Sequence, residues 1–181
     1  MNLKYHERAR VKGRYAKQRG TRFELAVRDS LRKLYPPERR KAIQRVPLSG
    51  AGVFKGDVID MNDPNWCYEA KNCEKLALPD WWRQTKAQAQ SFQISCLIFT
   101  SNHRPVYWCL REEDLLSYAS LTTYKDRLDV VRGNTRGLFD KLESLPNLAY
   151  WLAEVDGDDL AILPEKLYLS IRKEILNGGQ A

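Results

Sequence analysis

GDVIDMNDPNWCYEAK, residues 56–71, is the stretch on which the fold turns. Alternate side chains of a strand share a face, so within Trp66–Lys71 the residues Cys67, Glu69 and Lys71 point one way, and Trp66, Tyr68 and Ala70 the other. In the run before it, Asp57 and Ile59 share one side, Val58 and Asp60 the opposite one. The NDPN between the two runs is turn chemistry, so Asp57–Met61 and Trp66–Lys71 read as a hairpin that sets Asp57 alongside Glu69. Two carboxylates meeting at a strand end make a hard-oxygen site suited to Mg2+. Lys71 beside them is placed to orient an attacking hydroxide or to neutralise charge on a phosphate. For E-x-K taken alone, a surface salt bridge is the plainer reading.

Upstream of the hairpin, a helical pattern runs from Arg19 to Pro36-Pro37, with Phe23, Val27, Leu31 and Leu34 inside an arc of about 80° at helical spacing. Tyr35 widens the apolar arc to about 120°, and Glu24 then falls within it at about 100°, where an unpartnered carboxylate is costly. A capping box, with Thr21 as N-cap and Glu24 three residues on, also accounts for it. Residues 1–18 hold few aliphatics and many cations, and read as a basic arm or a frayed helix. Between helix and hairpin, a short strand at Ala42–Val46 leads into LSGAGVFKG, whose glycines Gly50, Gly52 and Gly56 allow the backbone close to a ligand.

Downstream, Pro79 opens a helix over 78–90, and Ile94–Ser101 and Val106–Leu110 are strands joined by NHRP. REEDLLSYASL then starts a helix on its acids. The order helix, three strands, helix, two strands, helix is an α/β sandwich of about 100 residues. From about Thr122 there follow a helix near Leu138–Leu145, strands at Ala149–Val155 and LAIL, the turn DGDD, and a helix from Pro164 to Leu176. VYWCLREEDLLSYA and LAILPEKLYLSIRK share a strand-then-helix form, but are too short to establish a repeat. The expected organisation is a basic arm (1–18), a core (19–121) and a C-terminal extension (122–181).

The charge is lopsided. Residues 1–50 carry 15 Lys/Arg against 4 Asp/Glu, whereas the remainder carries 15 against 19, within a total of +7. A cationic half of this density is the footprint of a phosphate-binding surface, though a solvated tail or an anionic membrane surface shares it. No apolar run reaches the length of a membrane span, and the basic N-terminus has no apolar stretch behind it, so a cytoplasmic protein is expected. Cys67, Cys73, Cys96 and Cys109 contain no CxxC pair, and in a reducing compartment they read as small buried hydrophobes.

Taken in order, RGTRFE (19–24), RVPLSG (45–50), GDVID (56–60) and EAK (69–71) resemble the motifs of archaeal-type Holliday junction resolvases, a PD-(D/E)XK nuclease family with viral and phage members, over roughly Lys17–Leu116. The resemblance implies a restriction-endonuclease-like α/β fold, a mixed central sheet flanked by helices, here with the C-terminal extension. It implies that Glu24, Asp57, Glu69 and the Ala70 carbonyl hold Mg2+, with Mn2+ a substitute. Lys71 becomes the catalytic lysine, and Ser49 a serine near the scissile phosphate. Arg19 and Arg45 match backbone-contacting positions, and Arg10, Lys12, Arg14, Arg22 and Lys55 extend the expected DNA surface. The implied partners are a four-way DNA junction and a second copy of the chain, the homodimer nicking two symmetry-related strands to leave 5′-phosphate and 3′-hydroxyl ends. No membrane is involved, and for a viral member the compartment is the host cell.

Two departures stand out. Gly56 replaces the family's eponymous proline, and the last 60 or so residues have no counterpart in the minimal family. Gln84 reads as solvent-facing, although related nucleases place a polar residue near the active site at this point. Trp81 and Trp82 suit anchoring to a sheet or a dimer partner better than base stacking, and DGDD suits a hairpin turn better than a cation site. A nuclease for flaps or plain duplex, and a non-catalytic DNA-binding module, remain alternatives.

Overall fold

The computed structural model describes residues 3–47, 55–101 and 103–178, with side chains from Gly13 onward. The first helix, α1 (Leu3–Arg32), is followed by a 3-10 turn at Pro37–Ala42 and by β1 (Ile43–Arg45), β2 (Val58–Asp60), β3 (Trp66–Asn72) and α2 (Leu78–Gln88). Then come β4 (Ile94–Thr100), β5 (Tyr107–Arg111), α3 (Glu112–Ala119), β6 (Asp129–Arg132), α4 (Leu138–Glu143), β7 (Ala149–Val155), β8 (Asp158–Pro164) and α5 (Glu165–Gly178). The eight strands form one sheet in the order β1-β2-β3-β4-β5-β8-β7-β6. The mixed sheet flanked by helices is the expected α/β fold, with β3–β4 and β6–β7 parallel and the other neighbours antiparallel.

Each face of the sheet carries its own core. On one side Phe23, Val27 and Leu31 of α1 pack with Leu115 of α3 and Leu167, Tyr168 and Ile171 of α5 over Val58, Tyr68, Trp108 and Leu163. On the other, Leu78, Trp81 and Trp82 of α2 and Leu138 and Leu142 of α4 cover Leu97, Phe99, Cys109, Trp151 and Ile162. Strand alternation produces the split, because neighbours such as Trp108 and Cys109 enter opposite cores. Arg172 of α5 is buried in the first core, its guanidinium 4.5 Å from the centre of the Trp66 ring and bonded to Asp63 at 2.8 Å. In the second, Asp158 at the start of β8 accepts hydrogen bonds from Trp82 Nε1 (2.8 Å) and Lys86 Nζ (2.5 Å).

Three expectations need correcting. The basic segment before Arg19 is the front of the same 30-residue helix, with no boundary at position 19. Thr21 is therefore mid-helix and caps nothing, which removes the capping-box account of Glu24. Residues 13–18 are exposed on every side, so this part of α1 projects beyond the sheet, and burial begins in earnest at Phe23. The strand β6 has no sequence forecast, and the elements after it extend the sheet through β8, which pairs with β5.

Candidate metal-and-phosphate site

The hairpin register carries the chemistry. Val58 pairs with Tyr68, and the Asp57 N–H donates to the Tyr68 carbonyl at 2.8 Å, so Asp57 sits just before β2 beside Glu69. Its carboxylate turns along β3 and accepts the Ala70 N–H at 2.9 Å. Glu69 is 1% exposed, and one of its oxygens, Oε1, takes Lys71 Nζ at 2.6 Å and Gln84 Nε2 at 2.8 Å. The other oxygen, Oε2, is buried and has no hydrogen-bond partner among the described residues. Burial raises the Glu69 carboxyl above its ordinary range and the charge of Asp57 raises it further, against the opposing hydrogen bond and charge of Lys71. The same burial, with Glu69 and Asp57 close by, pushes the Cys67 thiol up to about 12 and keeps it protonated.

Gly56 explains why this strand entry lacks a proline. Its φ is +83°, a value proline cannot adopt, and its N–H donates to Gln88 Oε1 at 2.8 Å. A Cβ there would sit 2.8 Å from the Tyr68 carbonyl oxygen. Gln84 and Gln88, one turn apart on α2, thus hold the two ends of the site, Glu69 and Gly56. Gln84, read from sequence as solvent-facing, belongs to the carboxylate cluster. Its spacing to Gln88 was the available signal, but only the packing of α2 on β3 and β4 gave it meaning.

Glu24 lies elsewhere. Its carboxylate is taken by the guanidinium of Arg45 on β1, and among the described residues no three His, Cys, Asp or Glu side chains are grouped to hold a metal ion. The structure brings together Asp57, Glu69, Ala70, Lys71 and Gln84, and leaves Glu24 outside them. Arg45, expected on DNA, is half-buried and engaged with Glu24. Asp57 and Glu69, with one oxygen of Glu69 unsatisfied, still fit a small divalent cation, since Mg2+ retains several waters and needs only one or two carboxylates. The Ala70 carbonyl, on the same stretch of β3, belongs to the same hard-oxygen set.

The cationic residues concentrate on α1. Arg14 and Arg22 are exposed, as is Lys55, while Arg19 reaches Glu74 at 3.3 Å. Between α1 and the end of β3 lies a cavity of about 910 Å3, lined among others by Tyr15, Arg19, Arg22, Asn72 and Glu74. Its lining includes Asn72, the last residue of β3. Ser49 and the side chains of Arg10 and Lys12 lie outside the described residues. Trp81 and Trp82 are buried in the core of their own chain, so neither stacks on bases nor serves as an exposed subunit anchor. DGDD spans the β7–β8 turn, Asp156 and Gly157 at φ of +53° and +80°, and the first two residues of β8.

A family profile described as phage putative PDDEXK endonuclease matches residues 15–136, about two thirds of the chain. The chain belongs to that family. As a PD-(D/E)XK protein it is a nuclease by kind, and nucleases of this superfamily generally use divalent metals. The matched stretch runs from within α1 through β6 and contains Asp57, Glu69 and Lys71. No curated protein and no solved structure gives a significant match. Among the described residues no helix is long and apolar enough to cross a membrane.

Proposed function

We propose that the protein is an endonuclease that hydrolyses phosphodiester bonds in branched DNA, a four-way junction above all, with Mg2+ as its cofactor and Mn2+ as a substitute. The supporting observation is the buried Glu69 Oε2, without a hydrogen-bond partner among the described residues, beside Asp57 and Lys71. A fold seldom keeps a desolvated carboxylate half-satisfied without a use for it. Asp57 and Glu69 would hold the cation with the Ala70 carbonyl. When bound, the cation supplies Lewis acidity and a more acidic water at neutral pH.

The chain's own groups do the remainder. Gln84 fixes the plane of Glu69, so the free oxygen keeps a constant direction. Lys71 Nζ, already at Glu69, is placed to orient the nucleophile and to offset charge growing on the scissile phosphate. Arg14 on the projecting part of α1, with Arg19 and Arg22 further along the helix, grips phosphates without reading bases, which suits recognition by shape. The order of the four motifs along the chain supports the junction as substrate, with Ser49 the expected hydroxyl near the scissile phosphate.

The test compares a four-way junction, a flap and a duplex of matching sequence in Mg2+. Junction-confined nicks are expected, reduced about 10²–10⁴-fold by Lys71→Ala or Asp57→Asn while junction binding persists. Equal digestion of plain duplex would rule out branched DNA as the substrate, and full activity in both variants would rule out these residues.

A further inference from the structure

The two sequence segments that share a strand-then-helix form turn out to be partners. They are β5–α3 and β8–α5, and their strands pair antiparallel with Cys109 opposite Ile162. Counting from the start of each following helix, Cys109 and Ile162 are also equivalent positions, three residues before Glu112 and Glu165. A local two-fold axis therefore passes through that pair, perpendicular to the sheet. Tyr107, at one end of β5, faces Pro164, the equivalent of Arg111, and Arg111 in turn faces Leu160, the equivalent of Tyr107.

The axis relates far more than two strands. Outward from it, β5, β4 and β3 match β8, β7 and β6, with antiparallel then parallel pairing on both sides. The helices obey it too, since α2 and α4 lie on one face and α3 and α5 on the other. Residues 66–119 and 129–178 are thus two copies of one strand-helix-strand-strand-helix unit.

The registers locate the second copy of the site. Leu97 faces both Cys109 and Glu69, while Trp151 faces both Ile162 and Val131. Val131 is accordingly the counterpart of Glu69, Arg132 of Ala70, and Gly133 of Lys71. Neither the carboxylate nor the lysine is present. The indole of Trp151 fills the space instead, and a Cβ at Gly133 would come within 2.7 Å of its Cη2. A large apolar ring against a glycine leaves no room for a cation with its waters.

We infer that residues 129–178 stand in the place of a second protomer, so that a single chain brings one live site to a branched DNA and nicks one strand per encounter. The strand a partner's β5 would pair with is already covered by β8, and the counterpart site is filled. This rests on the nuclease reading above, and it replaces the paired nicks of a homodimer with single ones.

A supercoiled plasmid carrying an extruded cruciform separates the outcomes, using the full chain in Mg2+ with enzyme limiting. Nicked circles are expected as the first product, and linear DNA appears only later, at a rate that rises with enzyme concentration. Linear DNA formed directly, without a nicked precursor, overturns the inference. Sedimentation of the chain with a four-way junction in Ca2+ gives a readout independent of cleavage, and one chain per junction is expected. Two chains per junction, or a dimer in the absence of DNA, overturns the inference even if cleavage is never observed. One chain bound with no cutting in Mg2+ or Mn2+ instead sinks the nuclease reading and leaves the single-chain assembly standing.

Discussion

Replacing Gly56 by the proline that gives the superfamily its motif should destroy the site. Gly56 sits at φ +83°, and alanine in the left-handed region costs about 1–2 kcal/mol. Its Cβ would also lie 2.8 Å from the Tyr68 carbonyl oxygen and 3.3 Å from Cys67 Sγ. Backbone cannot rotate away as a side chain does, so overpacking adds about 1–3 kcal/mol. For a chain of this length each kcal/mol moves the unfolding midpoint by about 2–4 °C, which puts Gly56→Ala about 4–20 °C below wild type. Proline fares worse, because its φ is fixed near −65° and it loses the N–H bonded to Gln88 Oε1 at 2.8 Å. Thermal unfolding in chelator, paired with the nicking assay, reads both effects. An unchanged midpoint for Gly56→Ala, or wild-type cutting by Gly56→Pro, would refute the reasoning.

Glu69 carries a cost in stability at neutral pH. Its folded carboxyl is raised by burial and then by Asp57, so the fold favours the protonated acid. That contribution is complete below the ordinary glutamate range and is lost as pH rises through the raised folded value. In chelator at neutral pH, Glu69→Gln should therefore raise the midpoint by a few degrees, converge with wild type in acid, and abolish cutting; a lower midpoint at neutral pH would contradict it. Arg172→Met, which strands Asp63 without its buried counterion, should cost about 3–5 kcal/mol in urea unfolding, with partial recovery in Arg172→Met/Asp63→Asn. Identical urea midpoints for single variant and wild type would show that Arg172 does not support the core.

Strands marked by an apolar run of strand length were readable in advance. Ala149–Val155 has the forecast bounds, and Asp57 beside Glu69 followed from counting faces along EAK. The strand β6 was not readable, because DVVR holds only two apolar residues and becomes a strand by pairing with β7 at the sheet edge. The early start of α1 was hidden for a related reason: its front carries no apolar stripe, so no burial pattern marks it. The apolar arc called for a partner to Glu24, and the resemblance made that partner a metal; the structure supplies Arg45 instead, which no periodicity in either segment reveals. The repeat was half visible. Two similar segments could be seen, and only strand register showed that they face one another.

The turn at Asp156–Asp159 has a bearing on how far the chain can be shortened. Asp158 grips Trp82 and Lys86, on either side of the Gln84 that steadies Glu69. Trimming the chain to the family-matched stretch would discard that grip, strip the cover from Tyr107–Arg111, and let the helix behind Glu69 drift. The smallest working unit is therefore larger than the stretch that bears the family signature, and a change in a distant hairpin tip can register as lost catalysis.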